Sequence, residues 1–225
     1  MDINSIPGWF SRRDEKNVEL LCSLLPYNSN IVEVGSHYGK STVCWAQNLK
    51  AGSTITAVDP WDAFYKETDR DILKKYKSDL PFSVDFCMRN RLHLFLHYTR
   101  QFKNIRPYPA FSPLDPTREE EYQDLYDLSL VFIDGNHSEK TVSDDVDFWY
   151  DRLNDDGILC GHDWKDEFPG LIRAVSEFSQ KKDLLLVHSL YKSTFWILFK
   201  PKSWMNYLAV RDLKRYTDTL PKIPS

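Results

Sequence analysis

Ile31-Val32-Glu33-Val34-Gly35-Ser36-His37-Tyr38-Gly39-Lys40-Ser41-Thr42 is the stretch on which the fold turns. It opens with a short apolar run that stops at Gly35. A helix is expected from about Lys40 to Asn48. Ser53 to Asp59 then reads as a second strand, closed by an acid and Pro60. Strand, glycine loop, helix and strand make a βαβ unit.

The loop excludes two phosphate sites. A Walker A loop has four residues between its first glycine and Gly-Lys-Ser/Thr, whereas here only Ser36, His37 and Tyr38 intervene. The dinucleotide pattern GxGxxG fails because His37 stands where a glycine would let the backbone approach a pyrophosphate. What remains is Glu-x-Gly-x-x-x-Gly-x-Ser-Thr, with Asp59 at the end of the next strand. A carboxylate there can accept from two ribose hydroxyls. A ligand with a ribose and no pyrophosphate therefore suits this loop better than NAD does.

Outward from this unit, residues 12–25 read as a helix ended by Pro26, with Leu20, Leu21, Leu24 and Leu25 at helical spacing. Two helices are expected in the polar and aromatic stretch 62–104, at about 66–78 and 84–101. Ile105–Pro109 is a strand candidate whose two prolines keep it from a central position. A short helix is expected at Arg118–Asp124, a strand at Leu128–Ile133, a helix at Ser143–Leu153 and a turn at Asn154–Gly157. Ile158–Cys160 reads as a buried strand and Leu171–Gln180 as a helix. Leu184–Leu190 and Thr194–Lys200 read as an antiparallel hairpin, and the tail 203–225 is expected to hold one helix before Pro221.

Apolar strands alternating with helices imply a mostly parallel sheet covered on both faces. Ligands bind such sheets at the strand C-terminal ends. Those ends are Gly35–Gly39, Asp59–Trp61, Pro109–Ser112, Asp134–His137 and Gly161–Trp164.

The chain has 225 residues and a formal net charge of −4. That length suits a single domain, 1–225. An acidic chain gains nothing from counterion release, so nucleic acid is not an expected partner. The N-terminus lacks the apolar core of a secretory signal and no run has the length of a membrane span, so neither export nor a membrane partner is expected. Cys22, Cys44, Cys87 and Cys160 form no CxxC pair or zinc pattern. Cys44 and Cys160 read as buried thiols, and a cytoplasmic location is expected.

Four stretches carry a resemblance: Pro7-Gly8-Trp9-Phe10, Ile31–Thr42, Ala57–Trp61, and Phe132–Ser138 together with Gly157–Trp164. In these the chain resembles the class I S-adenosylmethionine-dependent methyltransferases. Within them it looks like the subgroup of macrocin-type O-methyltransferases and cephalosporin-hydroxylase-like proteins. The resemblance implies a Rossmann-like α/β fold with a seven-stranded sheet and an antiparallel last strand. It implies that Glu33, Gly35 and Ser36 line the methionine part of the cofactor, with Gly39 and Ser41 in the same loop. It places Asp59 on the ribose, Trp61 over the adenine and Ser112 at the adenine edge.

It also implies that an acid at Asp134 and the pair His162-Asp163 hold a divalent ion. Metal-dependent relatives usually carry two acids or Asp-Asn at that pair. An imidazole suits transition ions better than Mg²⁺, which prefers oxygen. His137 is the expected general base, since an ordinary histidine takes a proton near neutral pH; Asp134 and Asp163 complete the catalytic set. Plainer uses exist: Asp134 and Asp163 as caps, His162 as a structural histidine, Trp61 as a core aromatic. His37 is expected to pack or touch cofactor. Asp144, Asp145 and Asp147 read as surface charge at a helix start. His93, His97 and His188 have no constellation around them.

The acceptor pocket is expected from 62–104 and the tail. The aromatics Phe64, Tyr65, Tyr76, Phe82, Phe86, Phe95 and Tyr98 would wall it or form a homo-oligomer interface. By resemblance the acceptor is a small hydroxyl-bearing molecule such as a sugar. The rival readings are a NAD(P)-dependent oxidoreductase and a non-catalytic nucleoside-binding module.

Overall fold

The apolar runs become strands whose alternate residues serve opposite faces of one sheet. In β1 (Asn30–Val34), Ile31 joins the core on one face while Val32 and Val34 join the core on the other. In β4 (Leu128–Ile133), Leu130 and Phe132 follow Ile31, and Val131 and Ile133 follow Val32. Both faces are covered, so period-two alternation appears in the packing although the strand sequence is apolar throughout.

The computed structural model describes residues 2–61 and 67–200. Its sheet has seven strands in the order β3-β2-β1-β4-β5-β7-β6. The further strands are β2 (Thr54–Asp59), β3 (Ile105–Pro109), β5 (Leu153–Gly161), β6 (Leu185–His188) and β7 (Trp196–Phe199). β1 to β5 run parallel, and β7 lies antiparallel between β5 and β6. This is the Rossmann-like class I methyltransferase fold with its reversed last strand. α1 (Arg12–Leu24) and α2 (Lys40–Asn48) cover the Ile31 face. α3 (Glu67–Lys75), α4 (Val84–Arg89) and α5 (Arg91–Thr99) follow β2. α6 (Glu139–Tyr150) and α7 (Pro169–Lys181) cover the Val32 face.

β3 is the edge strand that its prolines require, since it pairs only with β2. Four expectations shift. The helix placed at 84–101 divides at Asn90, whose side chain donates to Phe86 O (2.9 Å) and whose backbone is non-helical. The short helix at 118–124 is a 3-10 segment, Pro116–Tyr122. The helix placed at 143–153 starts earlier, at Glu139, because Ser138 caps it by accepting from Thr141 N. The turn at Asn154–Gly157 lies inside β5, as the irregularity that carries pairing from Leu128↔Leu153 to Leu130↔Ile158. Phe64, Tyr65 and the tail helix lie outside the described residues. Among the described residues no helix is long and apolar enough to cross a membrane.

The strand order reverses between β1 and β4, which makes their C-terminal ends the switch point where α/β folds bind ligands.

Candidate active site

The glycine loop is fixed by close backbone approach. Gly35 has φ +88°, and a Cβ there would lie 2.2 Å from the Asp134 carbonyl oxygen. Only glycine fits between β1 and the loop after β4. The Gly35 N–H donates to Val58 O (2.9 Å), and the Asp134 N–H donates to Val34 O (2.8 Å). Gly39, at φ +91°, caps α2. Thus β2, β1 and β4 meet at one point.

Asp59 is held by the loop it serves. One oxygen accepts from His37 N (2.9 Å), the other from Trp61 N (2.6 Å). Each carboxylate oxygen has two lone pairs, so each keeps one for a ligand hydroxyl. Burial pushes the Asp59 carboxyl above its ordinary value, and the two N–H donors work against that. Ser36 is 1% exposed and lines the cleft. Ser41 also lines the cleft.

Three expected cofactor residues stand behind this wall rather than on it. Glu33 is fully buried under the loop, accepts from the Thr42 hydroxyl, and is pushed up to about 7 by burial. Gly39 faces Phe95 and Thr99. Trp61 does not cover an adenine site: it is 1% exposed, packs on Phe95 (centroids 4.8 Å) and donates its indole N–H to His37 O (2.7 Å). Its backbone N–H is spent on Asp59 and its indole N–H on the loop, so its ring braces the loop from below.

Ser112 reaches the cleft wall and donates its hydroxyl to Asp145, while Trp149 Nε1 donates to Ser112 Oγ (2.8 Å). The expectation that Asp145 is surface charge is corrected. α6 begins at Glu139, so Asp145 lies two turns in and is 1% exposed. Asp144 and Asp147 do sit at the surface, paired with Lys140 (2.6 Å) and Lys181 (3.5 Å).

The ends of β4 and β5 bring the acids and histidines together. Asp134, His162 and Asp163 each offer a ligand atom, all within 4.8 Å of one another. His162 Nδ1 lies 3.7 Å from Asp134 and 3.5 Å from Asp163. Its Nε2 lies 3.3 Å from Asp14 and 3.0 Å from Thr194 Oγ1. Burial opposes charge on this ring, but Asp134 and Asp14 outweigh it and raise His162 to about 10. His137 Nε2 meets Asp163 at 2.9 Å, and its ring lies against Phe168 (centroids 4.0 Å). Lys165 reaches the other Asp163 oxygen at 3.0 Å. Burial works to raise Asp163, but His137, His162 and Lys165 outweigh it and hold this carboxyl well below the usual range.

Asp14 and Thr194 were not legible as site residues. Asp14 carries a local signal of another kind: it closes a capping box with Ser11, accepting from Ser11 N (2.7 Å). Its second oxygen is the one that meets His162.

These groups share one cleft of about 1170 Å³. Trp9 and Phe111, 57% and 55% exposed, stand on its lining. The 67–104 segment does contribute, but through Thr68, Asp69, Asp71, Ile72, Lys75 and Arg91. Its described aromatics do not line the cleft. Phe95 packs beneath Trp61; Tyr76, Phe82 and Tyr98 join a core with Leu73 and Leu94, and Phe86 stacks on Phe82. His37 packs between Trp9 and Tyr38 and lies 3.4 Å from Asp69, which pairs with Arg91 at 3.1 Å.

A family model described as a methyltransferase domain matches residues 32–164. The uncharacterized protein y4gI of Sinorhizobium fredii (strain NBRC 101917 / NGR234) is 28% identical over 144 residues, which cover 59% of this chain and 13% of that protein. The chain thus spans only a small part of the length of the curated relative it matches. Among solved structures, a precorrin-6y C5,15-methyltransferase from Geobacter metallireducens GS-15 superposes with TM-score 0.56 at 16% identity, over 87% of this chain and 90% of that one. An O-methyltransferase from Bacillus cereus in complex with SAH gives 0.53 at 14%, over 84% and 82%. An rRNA methylase from Streptococcus thermophilus gives 0.51 at 15%, over 86% and 99%. At these identities the likeness carries the fold alone. The residues matched by the family model run from β1 to Trp164 and take in all five parallel strand ends, and the chain accordingly belongs to the methyltransferase domain family.

Proposed function

We propose that this chain transfers the methyl group of S-adenosylmethionine to a hydroxyl oxygen of a small acceptor such as a sugar. The observation that carries the reading is the 2.9 Å contact between His137 and Asp163, which opens into the same cleft as Asp59 and the Gly35 loop. The Bacillus cereus O-methyltransferase, which has SAH bound, gives the donor a precedent on this fold.

The free lone pairs of Asp59 take the ribose hydroxyls, and the methionine part lies along Gly35 and Ser36. In the transfer, the acceptor oxygen forms a bond to the methyl carbon while the sulfur–methyl bond breaks. Sulfur keeps that electron pair, leaving S-adenosylhomocysteine and a methyl ether. The acceptor proton passes to His137. Its Nε2–H faces Asp163, which leaves Nδ1 as the accepting nitrogen; the ionised Asp163 fixes that tautomer and stabilises the imidazolium. The rest of the acceleration is alignment of oxygen, carbon and sulfur.

The donor set Asp134, His162 and Asp163 fits a divalent ion. Asp14 and Thr194 occupy His162 Nε2, so Nδ1 is the nitrogen that faces the two carboxylates. An imidazole with two carboxylates favours a transition ion over Mg²⁺. When bound, the ion would supply Lewis-acid polarisation of the acceptor oxygen. The net charge of −4 favours a small acceptor over a polyphosphate chain.

Isothermal titration with S-adenosylhomocysteine, in EDTA and with added Mg²⁺ or Mn²⁺, tests the reading. One saturable site is the expected result, and a metal-dependent change in affinity supports the acid–histidine site. Absence of binding in every condition would sink the methyl-donor reading.

A further inference from the structure

The turn between β6 and β7 is strained. Tyr191 (φ 55°) and Lys192 (φ 59°) are consecutive non-glycine residues in the left-handed region, which is unfavourable for both. Such a backbone persists only where its surroundings hold it. Here α1 does the holding. Asn17, fully buried, donates its amide to Leu190 O (3.4 Å) and Ser193 Oγ (3.1 Å). Arg13 Nη1 donates to Lys192 O (3.3 Å). The Arg13 guanidinium is thereby fixed against the backbone of Lys192, and both residues line the cleft.

These two cations adjoin the acid–histidine cluster. Arg13 directly precedes Asp14, and Lys192 stands two residues before Thr194; Asp14 and Thr194 both meet His162. The carboxylates at this end already have partners. Asp14 and Asp134 meet His162 (3.3 and 3.7 Å), and Asp163 meets His137 (2.9 Å) and Lys165 (3.0 Å). Among the described residues no carboxylate pairs with Arg13 or Lys192. Arg13 spends Nη1 on Lys192 O, which leaves its Nε–H and Nη2–H edge. That edge is the parallel pair of donors that fits two oxygens of an anion. With Lys192 beside it, the site offers two positive charges. Two charges match a dianionic phosphate better than a carboxylate, which carries one.

We infer that the acceptor carries a phosphate monoester, held by Arg13 and Lys192 while the hydroxyl to be methylated faces His137. The inference rests on the methyl-transfer reading of this cleft and narrows its acceptor from a hydroxyl compound to a phosphorylated one. The phosphate takes no part in the transfer. It sets specificity, since a neutral acceptor would leave both cations without a counter-charge.

The test is titration of methyl phosphate, with acetate in parallel, into the chain saturated with S-adenosylhomocysteine. The pH is about 8, where the monoester is a dianion. Wild type should bind methyl phosphate at a single site, and acetate at least about tenfold more weakly. Arg13→Gln and Lys192→Gly should each weaken methyl phosphate by about tenfold or more, the worth of a hydrogen bond to a charged group. Glycine adopts the φ of 59° at position 192 without strain, so that variant reports the lost ammonium and not a lost fold. Lys103→Ala removes an exposed lysine outside the cleft and should leave methyl phosphate affinity within about twofold. Affinity for S-adenosylhomocysteine should stay within about twofold in all three variants. The proposal is overturned, and the donor reading stands, if wild type binds no methyl phosphate or binds acetate as tightly. The same holds if methyl phosphate affinity survives both cleft variants or falls equally in Lys103→Ala. If the wild-type chain binds no S-adenosylhomocysteine, both fall together.

Discussion

The part of the cleft around Gly35 and Asp59, the proposed donor half, is held by backbone, whereas the part around His162, the proposed acceptor half, is held by side chains. Around Gly35, Asp59 accepts from two main-chain N–H groups, and β1 and β4 approach until no Cβ fits between them. Around His162, the contacts run between carboxylates, imidazoles and an ammonium drawn from α1, the β4 and β5 ends and the segment before β7. A backbone-built site depends on a few glycines and on strand register. A side-chain-built site can change chemistry by single substitutions on the same frame.

Gly35→Ala should break the comparison outright, because it damages both halves at once. The new Cβ would lie 2.2 Å from Asp134 O at a φ of +88°. Strain and overpacking together should cost about 4 kcal/mol, read as a lowered urea midpoint, with S-adenosylhomocysteine binding lost. A variant within about 1 kcal/mol of wild type would mean that the two strand ends are not in such close contact.

His137→Ala should separate the halves. With an acceptor found by screening, kcat should fall by about 10² to 10⁴, the usual worth of a general base. Affinity for S-adenosylhomocysteine should stay within about twofold, since His137 lies on the acceptor side. An unchanged kcat would place the base elsewhere.

The same contrast explains what the sequence disclosed. β1, α2 and β2 are local patterns, and the structure has them where the apolar runs and Gly35 put them. β3 was placed at an edge by its own prolines. The acid–histidine cluster could be gathered because β4 and β5 are neighbours whose last residues, Ile133 and Gly161, are partners, and Asp134 and His162-Asp163 follow them directly. Asp14 could not, since its only local signal is the Ser11 capping box; its contact with His162 exists only once α1 lies across the sheet. Asp145 was misplaced for a different reason: Ser138 starts α6 before the first apolar residue, so the helix phase was read a turn late. Trp61 follows a strand end, as ligand-covering aromatics do, but a φ of +34° turns it inward onto Phe95.

Glu33 sharpens the donor half. Its carboxyl is fully buried and pushed up to about 7 from 4.5. The folded state therefore binds this proton more tightly than the unfolded state does. The stability it contributes is complete below the unfolded value and is lost as pH rises towards 7. At 1.36 kcal/mol per unit this amounts to about 3 kcal/mol. Glu33→Gln keeps an acceptor for Thr42 and cannot ionise. Urea midpoints at pH 5 and pH 8 should thus differ less in Glu33→Gln than in wild type. Equal slopes would mean that Glu33 is no more costly to ionise in the fold than in the open chain.

The smallest effect bears on Trp61. If this ring braces the loop, Trp61→Phe removes one buried hydrogen bond, indole N–H to His37 O, and keeps most of the packing on Phe95. The cost should be about 1 kcal/mol of stability. Affinity for S-adenosylhomocysteine should move by no more than about threefold, because Asp59 still accepts from the Trp61 main-chain N–H, which any residue supplies. Adenine stacked on an indole quenches its fluorescence, so the quenching caused by ligand should be the same in wild type and Trp61→Phe. Loss of that quenching in the variant would put the ring on the ligand, and the donor half would then depend on a side chain after all.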